Sequence, residues 1–484
     1  MANFKSLAKD TALYGLSSII GRFLNYLLVP IYTAKMTAES GSYGIITNMY
    51  ALTALVLVLL TFGMETTFFR FANKEGENPR RVFATALTGV TAASSLFFIL
   101  VVLALAPISR FLGYAAHTQY VWVMALTISL DAVRAIPFAY LRQQKKALKF
   151  VILQLFNIGM TILLNMVYYI ALDGHEPGAA FYINLVCSAL VTLCLYKELA
   201  LVRSGFDSRL MMRMLRYAWP IAVLGVTGIL NQVADKILFP FIYKEADMQM
   251  QLGIYGACVK IAMLMAMITQ AFRYAYEPFI FGTAQGNSNE VQATGMKYFL
   301  MFTLLAFLCV VGWLDVLKYI LSPDYWAGLR VVPVVMIAEI MMGIYFNLSF
   351  WYKLNDRTVY GALFSGVGCV LLVMVNVFFI PRYGYMACAW GGVVGYGSAM
   401  ILSYVVGQSQ YPVSYPLKSM AVYTVLAALL FVAMRLVPSG WPLPLRLAVN
   451  TVFILLFAGH IVYYDLPLAS LPVVGKYFSR NHSK

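Results

Sequence analysis

Apolar runs of about 17 to 25 residues, each long enough to cross a hydrocarbon core of about 30 Å, recur from Thr11 to Tyr464 with short polar breaks. About 14 such runs fit along the 484 residues, which leaves room for little else. Hydrophobic residues make up 61% of the chain and charged residues 11%, far from the mix of a soluble domain. The expected fold is an all-α polytopic membrane protein of about 14 transmembrane helices. The leading decapeptide, MANFKSLAKD, is short and basic, but the apolar run behind it is too long for a signal-peptide core and has no small-x-small cleavage site. That run reads as a retained first span.

The formal net charge of +15 is explained by loop asymmetry and calls for no nucleic-acid partner. With the N-terminus placed in the cytoplasm, about 23 of the 35 Lys and Arg fall on cytoplasmic ends and loops, and about 8 on outer loops. Arg142, Lys145, Lys146 and Lys149, then Arg203, Arg209, Arg213 and Arg216, supply much of this bias. Both termini are therefore expected in the cytoplasm. The six cysteines lie in apolar segments without C-x-x-C pairs, so neither a disulfide framework nor a metal site is implied.

A repeat organises the chain further. Gly41, Tyr43, Gly44 and Glu65 recur as Gly253, Tyr255, Gly256 and Glu277 at a constant offset of 212 residues. An even number of spans separates the copies, so they share an orientation and are related by an axis along the membrane normal. The expected organisation is an N-terminal lobe (1–202, six spans), a cytoplasmic linker (203–216), a C-terminal lobe (217–408, six spans) and two extra spans with a tail (409–484).

Polar residues inside the spans are the candidates for function. A mid-span arginine costs about 2.5 to 3.5 kcal/mol on insertion scales, so such residues turn toward a bundle interior or a wet cavity. The first span carries Arg22 and Asn25, and the fourth carries Asp131 and Arg134 at i, i+3, close enough to pair. The seventh carries Asn231, Gln232, Asp235 and Lys236 between Pro220 and Pro240, a proline pair that predicts a bend. Lys260 lies in the eighth span and Glu339 in the tenth. Arg22 and Lys236 hold near-corresponding places in the two repeats. The slight cationic excess suits an anionic substrate. Asp131, Arg134, Asp235 and Glu339 read equally as coupling groups or as structural pairs. No phosphate loop, H-E-x-x-H or soluble-size outer loop is present, so neither an enzyme nor a cofactor is expected.

The chain resembles the polysaccharide transporter family, the lipid-linked oligosaccharide or O-antigen flippases of the multidrug/oligosaccharidyl-lipid/polysaccharide exporter superfamily. The likeness rests on Gly41-Ser-Tyr-Gly44, Gly63-Met-Glu-Thr-Thr-Phe-Phe-Arg70, Asp235 with Gly253-Ile-Tyr-Gly256, the segment from Phe272 to Pro278, and Asn376-Val-Phe-Phe-Ile-Pro-Arg-Tyr-Gly384. The resemblance implies movement of undecaprenyl-diphosphate-linked oligosaccharide between leaflets of a bacterial cytoplasmic (inner) membrane, for surface polysaccharide or lipopolysaccharide assembly. It also implies membrane lipids and other polysaccharide assembly proteins as partners. Arg22, Lys236 and Lys260 would then meet the diphosphate, and Asn25, Asn231 and Gln232 the sugars. A cation-coupled multidrug exporter of the same superfamily is the first alternative, although Asp131 and Asp235 each have a base within three positions. A membrane glycosyltransferase or polymerase is a more distant one.

Overall fold

The computed structural model describes residues 26–282, 288–355, 357–438 and 440–465, among which there are helices and no strand. In lipid a segment must satisfy its own backbone polar groups, and this chain does so with helices throughout. They are α1 (Leu28–Lys35), α2 (Ser42–Thr61), α3 (Met64–Ala72), α4 (Pro79–Leu103), α5 (Thr118–Gln143), α6 (Ala147–Met166), α7 (Gly178–Cys194) and α8 (Ser208–Ile242). Then come α9 (Met248–Gly282), α10 (Ser288–Gly312), α11 (Val331–Leu348), α12 (Val359–Tyr383), α13 (Tyr385–Gln410), α14 (Leu417–Leu436) and α15 (Leu443–Tyr464). Among the described residues, 12 helical stretches are long and apolar enough to cross a membrane, and a pair bent by 61°, α7 with Tyr196–Arg203, makes 13. The predicted first span, Thr11–Thr33, lies largely outside the described residues.

The second span, expected over Ile45 to Phe62 with a turn at Gly63, is α2, and it ends there, where Phe62 (φ 47°) and Gly63 (φ 67°) turn left-handed before α3. The ninth stops at Gly312, because Asp315 beyond it pairs with Lys318 and Arg446. The seventh is one 35-residue helix that contains Pro220 and Pro240, the pair read as favouring a bend. Along its length α8 packs against α2. Asp207 caps α8, accepting from the Arg209 and Leu210 amides at 2.9 and 3.0 Å. Those donors hold the Asp207 carboxyl below the usual range, with Arg81 adding its charge.

The helices group into two compact units. Among the described residues, the first gathers 26–260, 324–328 and 365–395. At one end its core packs Phe68, Phe83, Ile136, Tyr140 and Met214 among α3, α4, α5 and α8. The same end is pinned by ion pairs: Glu65–Arg142 at 2.6 Å, Glu198–Lys149 at 2.6 Å and Glu77–Arg213 at 2.8 Å. Several of the basic residues read as topogenic charge are thus also structural staples. At the other end the two repeat motifs meet. A Cβ on Gly44 would stand 2.0 Å from the Gln249 carbonyl oxygen, and one on Gly253 would stand 2.9 Å from the Gly44 amide nitrogen. Gly44→Ala is therefore expected to destabilise the protein by about 1–3 kcal/mol, read as a lowered melting temperature in detergent, because backbone cannot yield as a side chain would.

The second unit gathers residues 261–323, 329–364 and 396–484. Here α10 is the centre, packed against α11, α14 and α15. Asn450 on α15 donates to the Gly312 carbonyl at 2.8 Å, Arg446 pairs with Asp315, and Asp465 is held by Lys297 and the Tyr423 hydroxyl. The two extra spans are fastened to α10 at both of its ends.

Candidate functional site

The predicted residues of the seventh and eighth spans come together in the first unit. The Lys236 ammonium on α8 lies 3.0 Å from each carboxylate oxygen of the neighbouring Asp235, and it also donates to the Gln232 carbonyl at 3.2 Å. Asp235 is buried and accepts a 2.5 Å hydrogen bond from the Tyr255 hydroxyl on α9. The same tyrosine ring faces the ammonium at 5.4 Å, so it supports both members of the pair. A buried pair held this way leaves neither charge alone.

Behind it a second layer fixes the backbone. Asn48 on α2 donates to the Lys236 carbonyl at 2.9 Å and accepts from the Tyr114 hydroxyl at 2.7 Å. The Asn231 amide donates to the Ser365 carbonyl and hydroxyl on α12, each at 3.1 Å, so its NH2 joins two helices. The Gln232 side chain is exposed. Lys260 on α9 is half-buried. Among the described residues it has no acidic partner and no hydrogen bond. Asp235 neutralises Lys236, and no acidic group among the described residues pairs with Lys260.

A separate cluster lies in the seam of α5, α6 and α7. Arg134 pairs with Asp131 at 2.9 Å, as the i, i+3 spacing predicts, and Ser188 on α7 donates to the same carboxylate at 2.6 Å. The Arg134 Nη1 and the Asn157 Oδ1 are buried without a partner among the described residues. Glu339 lies on α11 in the second unit, half-buried. Arg22 and Asn25 fall outside the described residues. Sequence reasoning missed Asn48 and Tyr114. It quoted Tyr255 only as a motif residue, although its recurrence as the partner of Tyr43 was the available signal. No group of three or more metal-ligating side chains occurs among the described residues.

The arrangement has the fold of known transporters. The lipid II flippase MurJ in an inward closed conformation matches at TM-score 0.75 and 14% identity, covering 93% of this chain and 99% of that one. An inward-facing multidrug resistance MATE family transporter of the MOP superfamily matches at TM-score 0.65 and 13% identity, covering 80% and 94%. The MATE multidrug transporter DinF-BH matches at TM-score 0.59 and 16% identity, covering 85% and 97%. At such identities the likeness shows a shared fold. No curated protein matches the sequence. The family model described as polysaccharide biosynthesis protein matches residues 39–320, more than half of the chain, and the chain belongs to that family.

Proposed function

We propose that this protein is a flippase that moves polyprenyl-diphosphate-linked oligosaccharide from the inner to the outer leaflet of a bacterial cytoplasmic membrane. Two six-span lobes would alternate access to a central path, with both termini in the cytoplasm. The observation that carries the reading is the half-buried Lys260 on α9, which has no acidic partner among the described residues, while the Asp235–Lys236 pair is held by Tyr255 of the same helix. A diphosphate crossing a low-dielectric region needs a fixed cation in place of water and counter-ions. A cationic drug would be repelled by the same charge. Arg22, from the corresponding place in the first repeat, is proposed as a bidentate phosphate ligand. Asn25, Asn231 and Gln232 are proposed to meet the sugars.

The test is leaflet translocation in proteoliposomes, with a fluorescent polyprenyl-diphosphate oligosaccharide and a cationic dye compared side by side. The lipid is expected to move and the dye to stay. Dye extrusion without lipid movement would transfer the protein to the drug-exporter reading.

A further inference from the structure

We infer that the turn Pro323–Arg330 and the two glycine–tyrosine motifs form a latch that closes one face of the transport path, with Tyr325 as its bolt. Residues 324–328 group with the first unit, although the chain on either side of them belongs to the second. Tyr325 is wholly buried there. Its hydroxyl donates to the Met36 carbonyl at 2.7 Å, and its ring stands edge-on to Tyr43 at 5.9 Å. Its own carbonyl accepts from the Cys258 thiol at 3.3 Å, and two residues on the Ala327 carbonyl accepts from the Tyr385 hydroxyl at 3.3 Å.

Most of these partners belong to or adjoin one of the repeat motifs. Met36 and Tyr43 flank the start of α2, and Cys258 follows Gly253-Ile-Tyr-Gly256 on α9. The bolt therefore spans the line along which the two motif copies touch, backbone against backbone at Gly44 and Gly253. Two repeats that alternate access must part along this line to open this face, and Tyr325 must leave its seat for them to do so. Its grip is suited to repeated release, because hydroxyl and thiol donors on backbone carbonyls break and reform without rearranging charge.

The inference rests on the transporter reading, and its test separates the two. A protein retaining Cys258, with Cys187, Cys194, Cys309, Cys369 and Cys388 changed to serine, is treated with a membrane-impermeant maleimide in right-side-out vesicles. Slow labelling is expected, rising at least tenfold in Tyr325→Ala and a few-fold in Tyr325→Phe, which keeps the ring and loses only the hydroxyl. A pair Thr47→Cys and Gly256→Cys supplies the opposite arm. A Cβ on Gly256 stands 3.0 Å from the Thr47 Cβ, so the two helices need part by only about half an ångström to reach the roughly 3.5–4.5 Å that a disulfide takes up. Oxidation should abolish Cys258 labelling and lipid translocation together, and reduction should restore both. Cys258 labelling indifferent to Tyr325→Phe, Tyr325→Ala and the cross-link would overturn the latch. Labelling that responds as expected in a protein that moves no lipid would uphold the latch and remove the substrate reading.

Discussion

Replacing Lys260 by alanine is expected to slow translocation of a polyprenyl-diphosphate oligosaccharide at least tenfold while leaving the melting temperature unchanged or higher. The two halves of this expectation come from the same geometry. Lys260 is half-buried and has no acidic partner or hydrogen bond among the described residues. Removing its charge orphans none of those residues and removes the desolvation of a half-buried ammonium. A phosphate losing one charge-assisted hydrogen bond forfeits about 1.5–3 kcal/mol, or roughly 10- to 100-fold in rate if the contact is made at the barrier. Lys260→Arg should retain most transport. Lys236→Ala should behave differently, lowering the melting temperature as well, because it leaves Asp235 buried without its cation. Translocation rates and detergent melts on the three variants check this. Unimpaired transport in Lys260→Ala would show that this residue does not meet the substrate.

Arg134→Ala is expected to be the most damaging single change to stability in the first unit, at about 3–5 kcal/mol, because it leaves the Asp131 carboxylate buried and unpaired. Ser188 would still donate to that carboxylate, but one neutral donor does not replace a guanidinium. The double variant Asp131→Leu/Arg134→Leu removes both charges and should recover most of the loss, so melts around the double-mutant cycle isolate the pair. A variant that lost transport but kept full stability would instead place Asp131 and Arg134 in the transport cycle.

Much of this molecule is written in local pattern, and local pattern is what a sequence displays. The span Leu417–Leu436 falls within the two extra spans expected after residue 408, and the Asp131–Arg134 pair follows from spacing along a single helix. Ser188 completes that cluster from another helix, 57 positions away, and nothing in its surroundings marks it. The same holds for Asn48, which reaches the Lys236 carbonyl across 188 residues, and for Tyr325, which reaches Met36 across 289. A lone asparagine or tyrosine in an apolar run carries no periodicity that could name its partner. The packing of α8 along α2 is likewise invisible in the local pattern of either helix. The repeat was the one long-range signal in the sequence, and it pointed to the place where Gly44 and Gly253 touch.

The unbroken α8 has a mechanical consequence. At about 1.5 Å per residue its 35 residues run about 52 Å along the helix path, and about 34 Å of that path separates Arg213 from Lys236. The Arg213–Glu77 pair pins the helix near its first turns. With that pin as a fulcrum, a tilt of about 10° would carry Asp235 and Lys236 sideways by about 6 Å, further than the Tyr255 hydroxyl on α9 can follow. Small rotations where α8 begins are thus geared up at the charged cluster, and Tyr255 is the contact such a swing would test first.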